Sequence, residues 1–189
     1  MLTRNYDSLM TGFMTILPPS GYVPTEEDWA AGMPGVARNH NGVLKAMSDL
    51  PRTSNSVFGN LSNADNLTQM QTTNNSFAHP PVLLVGSNNA EESYNDYSLN
   101  IIKDLTVVGY RSAGIAHTSD GCVYTTVKTF INNTENDITV NEIGLSQHYS
   151  PDFDFLLYRK KLDKPVTLKA KGGSASFSLN IEIPYANKP

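Results

Sequence analysis

The words TFINNTENDITVNEIGLSQHY (129–149) and FLLYRKKLDKPVTLKAKGGSASFSLNIEI (155–183) decide how this chain folds. The second ends on Ala175, Phe177, Leu179, Ile181 and Ile183, which alternate without error with Ser176, Ser178, Asn180 and Glu182. A period of two puts the apolar set on one face of a pleated strand and the polar set on the other. Val166, Leu168 and Ala170 alternate likewise before the turn residues Lys171, Gly172, Gly173 and Ser174. Two alternating runs around a glycine turn predict a β-hairpin with one wet and one dry face.

The same period recurs outward from there. Residues 122–132 alternate Val123, Thr125, Val127, Thr129 and Ile131 against Tyr124, Thr126, Lys128 and Phe130, and ITVNEIGL (138–145) returns after a polar loop. Upstream, VLLVG (82–86) reads as a strand buried on both faces and LTVVGY (105–110) as another, with 111–114 and 117–121 turn-like. Strands spaced by polar turns predict an all-β fold, an antiparallel β-sandwich of jelly-roll-like form over 81–189. One irregularity stands out. Ile138 and Val140 are in phase, but the next apolar residues are Ile143 and Leu145, so the phase slips at Asn141-Glu142 as at a β-bulge. The slip is expected to leave Glu142 near the core face, where an isolated carboxylate is costly. Arg159, in the facing word FLLYR, is the expected partner, with His148 or a nest of backbone amides as alternatives. Glu142 and Arg159 are thus read as structural residues.

At the other end, Tyr6, Leu9, Met10, Phe13, Ile16 and Leu17 fall at three- and four-residue steps and predict a helix over 5–17, stopped by Pro18-Pro19. Its apolar face is covered either by its own domain or by a neighbouring subunit. Tyr6, Leu9, Met10 and Phe13, with the single tryptophan Trp29, are the candidate partner contacts. EEDWAAGM (26–33), preceded by Thr25, reads as a capped helical turn ended by Gly32, and 41–50 as a further short turn. Residues 55–76, rich in Asn, Ser and Thr, read as an exposed loop or as irregular strands facing a partner. Three segments follow: a helical arm (1–20) removable without unfolding the rest, an irregular Asn/Pro-rich segment (21–80) packed on or extending from the core, and the sandwich (81–189).

Composition excludes several functions. Only 17% of residues are charged and the net charge is −4, so the basic stripe of a nucleic-acid binder is missing. Cys122 is alone, which rules out an internal disulfide, and is read as a small half-buried hydrophobe. No apolar run approaches the ~20 residues of a membrane helix. MLTRNYDSLM lacks the apolar centre of a secretory signal, so synthesis and folding in a reducing cytoplasm are expected, and the Asn-x-Ser/Thr sequons at 60, 66, 74 and 132 are read as by-products of composition. His40, His79, His117 and His148 are scattered, none at ligand spacing. Asp152, Asp154 and Asp163 could gather around calcium, but they lack the glycine and distal glutamate of an EF-hand and read as a solvated turn. No phosphate-cradling loop or nucleophile elbow occurs. Neither catalysis, nor a cofactor, nor a metal is expected.

ITVNEIGL followed by LLYRKKLDKPVTLKAKGGSASFSLNIEI resembles a pattern that recurs in virion structural proteins of tailed bacteriophages: an "EiGL" strand, an "LLaR" word, a "pvtv" strand, a Gly-Ser turn and a final alternating strand. SNNAEESYNDYSL (87–99) is similar to the same pattern's "DY-L" word, with two Asn where glycines are usual, and LTRNYDSLM resembles the starts of such proteins. The resemblance spans about 82–183 and leaves 18–75 unmatched. It implies a β-sandwich subunit of the neck, collar, tail or capsid exterior, made in the host cytoplasm. The implied partners are copies of itself and portal, tail or capsid subunits, with no direct contact to nucleic acid or membrane. The competing expectation is a carbohydrate-recognising sandwich on the particle surface, using aromatics such as Trp29, Tyr94 and Tyr97.

Overall fold

The computed structural model describes residues 1–8, 17–49, 82–117, 121–150 and 153–184. Its strands are β1 (Val36–Arg38), β2 (Leu44–Ala46), β3 (Val82–Gly86), β4 (Thr106–His117), β5 (Gly121–Asn132), β6 (Ile138–Ser150), β7 (Phe153–Leu168) and β8 (Gly173–Pro184). All pairings are antiparallel. Two three-stranded sheets, ordered β3-β6-β7 and β4-β5-β8, close on one core, and β1-β2 forms a small separate hairpin. A jelly roll has eight strands in its two sheets; the described residues supply six.

The alternation in β8 settles its orientation. Phe177, Leu179 and Ile181 are buried against Leu83, Val85, Val140, Ile143, Leu145 and Leu168 of the facing sheet, while Ser176, Ser178 and Asn180 are exposed. Each such side chain contributes about 1.5–3 kcal/mol by leaving water. In β5, Thr126 and Phe130 turn inward: Phe130 meets Phe177 edge-on at 6.0 Å between ring centroids, and Thr126 is fully buried. The β-branched odd set, Val123 to Ile131, faces outward and is half-buried.

The hairpin expected at 166–183 does not form. β7 pairs with β6 and β8 pairs with β5, so residues 169–172 carry the chain from one sheet to the other. A tight turn between alternating strands has the same local sequence in both cases, and long-range pairing decides. β8 keeps twelve unbroken register pairs with β5, from Gly121↔Pro184 to Asn132↔Gly173. The turn, with Lys171 at φ 58° and Gly172 at φ 114°, is sewn to the β5–β6 loop. Lys171 N–H donates to the Thr134 carbonyl (3.0 Å) and Gly172 N–H to that of Asn132 (2.7 Å). Asn132 is buried, and its amide donates to the carbonyls of Asn136 and Leu168.

Residues 111–114, read as turn-like, lie inside β4, opposite Thr125–Val127 of β5. Ladder hydrogen bonds override the weak strand preference of Arg-Ser-Ala-Gly there. The phase slip in β6 is real: the register breaks between Val140 and Glu142, where Asn141 faces the four residues Leu162 to Pro165 of β7.

An outer layer covers the far face of β3-β6-β7. It comprises residues 1–8, helical over 4–8, the helix Glu26–Ala30, the β1-β2 hairpin and the stretch 87–102. Thr25 caps that helix in a capping box with Asp28, and Gly32 at φ 70° ends the turn, as its sequence predicts. Thr3 N–H donates to the Leu157 carbonyl, and Arg159 N–H to that of Met1, both at 3.0 Å, so the first residues extend the β7 edge. Gly144 lets 87–102 approach: a Cβ there would lie 2.6 Å from Leu99 Cδ1 and 2.9 Å from the Tyr158 carbonyl oxygen. Among the described residues no helix is long and apolar enough to cross a membrane.

Candidate functional site

The densest polar cluster is built on β6 and β7 and sealed by the outer layer. Glu142 is 0% exposed and Arg159 2%. Arg159 Nε donates to Glu142 Oε2 at 2.7 Å, Nη1 to Asp96 Oδ2 at 2.8 Å and to the Glu91 carbonyl at 2.9 Å, and Nη2 to the Ala90 carbonyl at 3.0 Å. The other oxygen of Glu142 accepts the backbone N–H of Asn100 (2.9 Å) and of Asn88 (3.2 Å). Burial opposes the charge on Arg159, but the hydrogen bonds and charges of Glu142 and Asp96 outweigh it and hold its pKa above the ordinary arginine value. The expected pairing therefore exists, but its place differs from the expected one. After the slip, Ile143 and Leu145 take the core face, so Glu142 points to the opposite side, under 87–102. Gly86 stands across from it, and a Cβ there would run into the Glu142 carboxylate.

Beside this brace, two arginines and three aromatic rings stack. Arg4 lies over Tyr94 (4.8 Å) and Trp29 (5.6 Å), and Arg38 over Trp29 (5.4 Å) and Tyr97 (5.3 Å). Arg4 also donates to Asn95 and to the Ala30 carbonyl, and Tyr94 donates to Asp7. Asn5 reads the Arg38 backbone as a strand would, donating to its carbonyl and accepting its N–H, both at 2.8 Å. Trp29 is buried by its own chain, and Trp29, Tyr94 and Tyr97, the aromatics expected for sugar recognition, each lie under an arginine. Tyr6 is half-buried. Leu9, Met10 and Phe13 lie outside the described residues, as do His79, Asp152 and the sequons at 60, 66 and 74.

A third cluster escaped the sequence because its members are remote along the chain. His40 follows β1, Ser146 is on β6 and Asp154 on β7. Ser146 Oγ donates to the Asp154 carboxylate and lies 3.2 Å from His40 Nε2, while Asp154 Oδ1 is 3.6 Å from the same nitrogen. The composition is that of a hydrolase triad; the wiring is not. A triad places the carboxylate on Nδ1 and leaves the hydroxyl proton to Nε2, whereas here hydroxyl and carboxylate bond each other and meet one ring nitrogen. Ser146 is buried. With His40 N–H donating to the Asp154 carbonyl at 3.1 Å, the cluster ties the β1-β2 hairpin to the sandwich.

No group of three or more His, Cys, Asp or Glu among the described residues is placed to hold a metal. Asp154 and Asp163 lie nine residues apart on β7, about 30 Å along an extended strand, so they do not gather. Lys128 points between the sheets, where its ammonium donates to the Leu83 carbonyl (3.1 Å) and lies 5.5 Å from the Phe130 ring. Burial lowers its pKa. Thr126 Oγ1, two residues before it, is buried with no hydrogen-bond partner. Comparison with protein-family models, with curated proteins and with solved structures finds no match.

Proposed function

We propose that this chain is a structural subunit of a tailed-bacteriophage particle, forming a homo-oligomeric assembly at the neck or tail or on the capsid through protein–protein contacts. One observation carries the reading. Three of the words that bear the resemblance, EIGL (142–145), LLYR (156–159) and NDYSL (95–99), the last more than 40 residues before the other two, supply Glu142, Arg159 and Asp96 of a single brace. Words that must meet to close one fold are expected to travel together, so the resemblance attaches to a structural unit and not to scattered coincidences. The polar clusters support the same reading, since each is spent on joining layers. The proposed partners are copies of this chain and portal, tail or capsid subunits, and the proposed location is the virion.

The test is direct. Particles from a culture carrying this gene are purified on a density gradient, their proteins quantified by mass spectrometry, and the labelled chain located by electron microscopy. The reading expects the chain in particles at a fixed copy number and at one site. A chain absent from intact particles overturns it.

A further inference from the structure

Four strand edges bound the two sheets, and the chain treats three of them alike. The outer edge of β3 is closed: Lys128 Nζ takes the Leu83 carbonyl, Ile102 N–H the Val85 carbonyl, and Ser87 N–H pairs with Asn100. Over 157–161 the outer edge of β7 is covered by residues 1–3 and by Glu92, whose Oε1 accepts Lys161 N–H at 3.0 Å, and Lys164 and Pro165 follow on the same strand. β4 is broken by two register shifts, between Val107 and Gly109 and between Ala113 and Ile115. Covering, inward lysines and bulges are the devices by which sheets avoid pairing with other chains. Among the described residues β8 carries none of them: it pairs only with β5, its twelve register pairs are unbroken, and from Gly172 to Ile181 it holds no charge.

We infer that the outer edge of β8 is an interface, and that its occupant is the β8 edge of a second copy of this chain, paired antiparallel about a two-fold axis to make one six-stranded sheet. Self-pairing fits the residues. A two-fold puts like beside like, which a charged edge could not tolerate, and the outward residues Ser174, Ser176, Ser178 and Asn180 are small and neutral. Centred on Phe177, the pairing sets Ser176 against Ser178 of the second copy. It also brings Glu182 opposite Gly172 of that copy, beside its Lys171, a complementary charge at each end. β4 is a poor partner for β8 because its two bulges break the register. This inference deepens the proposed homo-oligomer and rests on it for the partner, but not for the edge.

The experiment uses the full chain and two exposed double variants, Ser176→Lys with Ser178→Lys and Ser176→Glu with Ser178→Glu. Circular dichroism and thermal unfolding first establish that both fold. Light scattering after size exclusion should give a dimer, or a multiple of it, for the wild type. Each variant alone should dissociate at least about 10-fold more readily, since like charges face each other twice. Mixing the lysine and glutamate variants should restore association, which a merely damaged fold would not do. Association unchanged in both variants overturns the β8 edge and leaves the homo-oligomer standing. A wild type that stays monomeric at every concentration overturns the dimer, while the particle experiment decides the virion reading independently. Mixed variants that stay apart also count against it.

Discussion

A carboxylate and a guanidinium taken out of water together are stable only when nearly every lone pair and N–H finds a partner. Glu142 and Arg159 meet that condition through three bonds to the first and four from the second. Replacing Glu142 by Gln removes one charge and leaves the other buried, and should cost about 3–5 kcal/mol in urea unfolding. The pair Glu142→Leu with Arg159→Met should lose less than the sum of the single changes. The phase slip made this pairing legible from sequence; the face it occupies was not, because no local signal tells which face a distant loop will cover. Thr126 is the opposite case. Its orphan hydroxyl sits in the core, so Thr126→Val, of equal shape, should raise stability by about 1 kcal/mol. Lys128 gives a pH signature. Burial holds its pKa below the ordinary 10.5, so between that lowered value and 10.5 the unfolded chain binds more protons and stability rises with pH. Urea midpoints of wild type and Lys128→Met at pH 8 to 10 should diverge in that direction; parallel profiles would show the ammonium to be well solvated.

Strands declare themselves by alternation, but what they pair with is set by the rest of the molecule. β8 was plain in its nine alternating residues, and its partner was not, since the turn at 169–172 suits a hairpin and a sheet crossing equally. The same limit applies to the first residues. Their helical spacing suggested a removable arm, yet Thr3, Asn5 and Ser8 are buried, and Met1 and Thr3 hydrogen-bond along β7. Two of those contacts depend on backbone groups that carry no sequence signature. Removing residues 1–8 should therefore uncover the β7 edge and the Arg38 backbone together. The four bonds lost there, Thr3 to Leu157, Met1 to Arg159 and the two between Asn5 and Arg38, at roughly 1 kcal/mol each, put the expected loss at ~4 kcal/mol. Differential scanning calorimetry reads it, and an unchanged transition temperature would return the segment to the status of a loose arm.

Two layers share the sheet β3-β6-β7: an apolar core on one side, and on the other a polar seam of Glu142–Arg159–Asp96, Arg4–Trp29–Arg38 and His40–Ser146–Asp154. The first layer was readable because burial against another sheet imposes a period. The second was not, because charge and amide contacts between segments roughly 100 residues apart in sequence impose none, as His40 and Ser146 illustrate. This division predicts how the protein opens. Apolar packing on the core side does not depend on the seam, so loosening the seam should release the outer layer as a unit of lower stability. In Arg159→Met, hydrogen exchange read by mass spectrometry should speed up across 1–8, 26–46 and 87–102, while β5 and β8 keep their protection. The Arg159 side chain hydrogen-bonds to Ala90, Glu91 and Asp96 of the outer layer, so the effect has a direct route to that layer. Equal acceleration in β8 would mean that seam and core form one cooperative block, and that the two faces of the sheet stabilise each other.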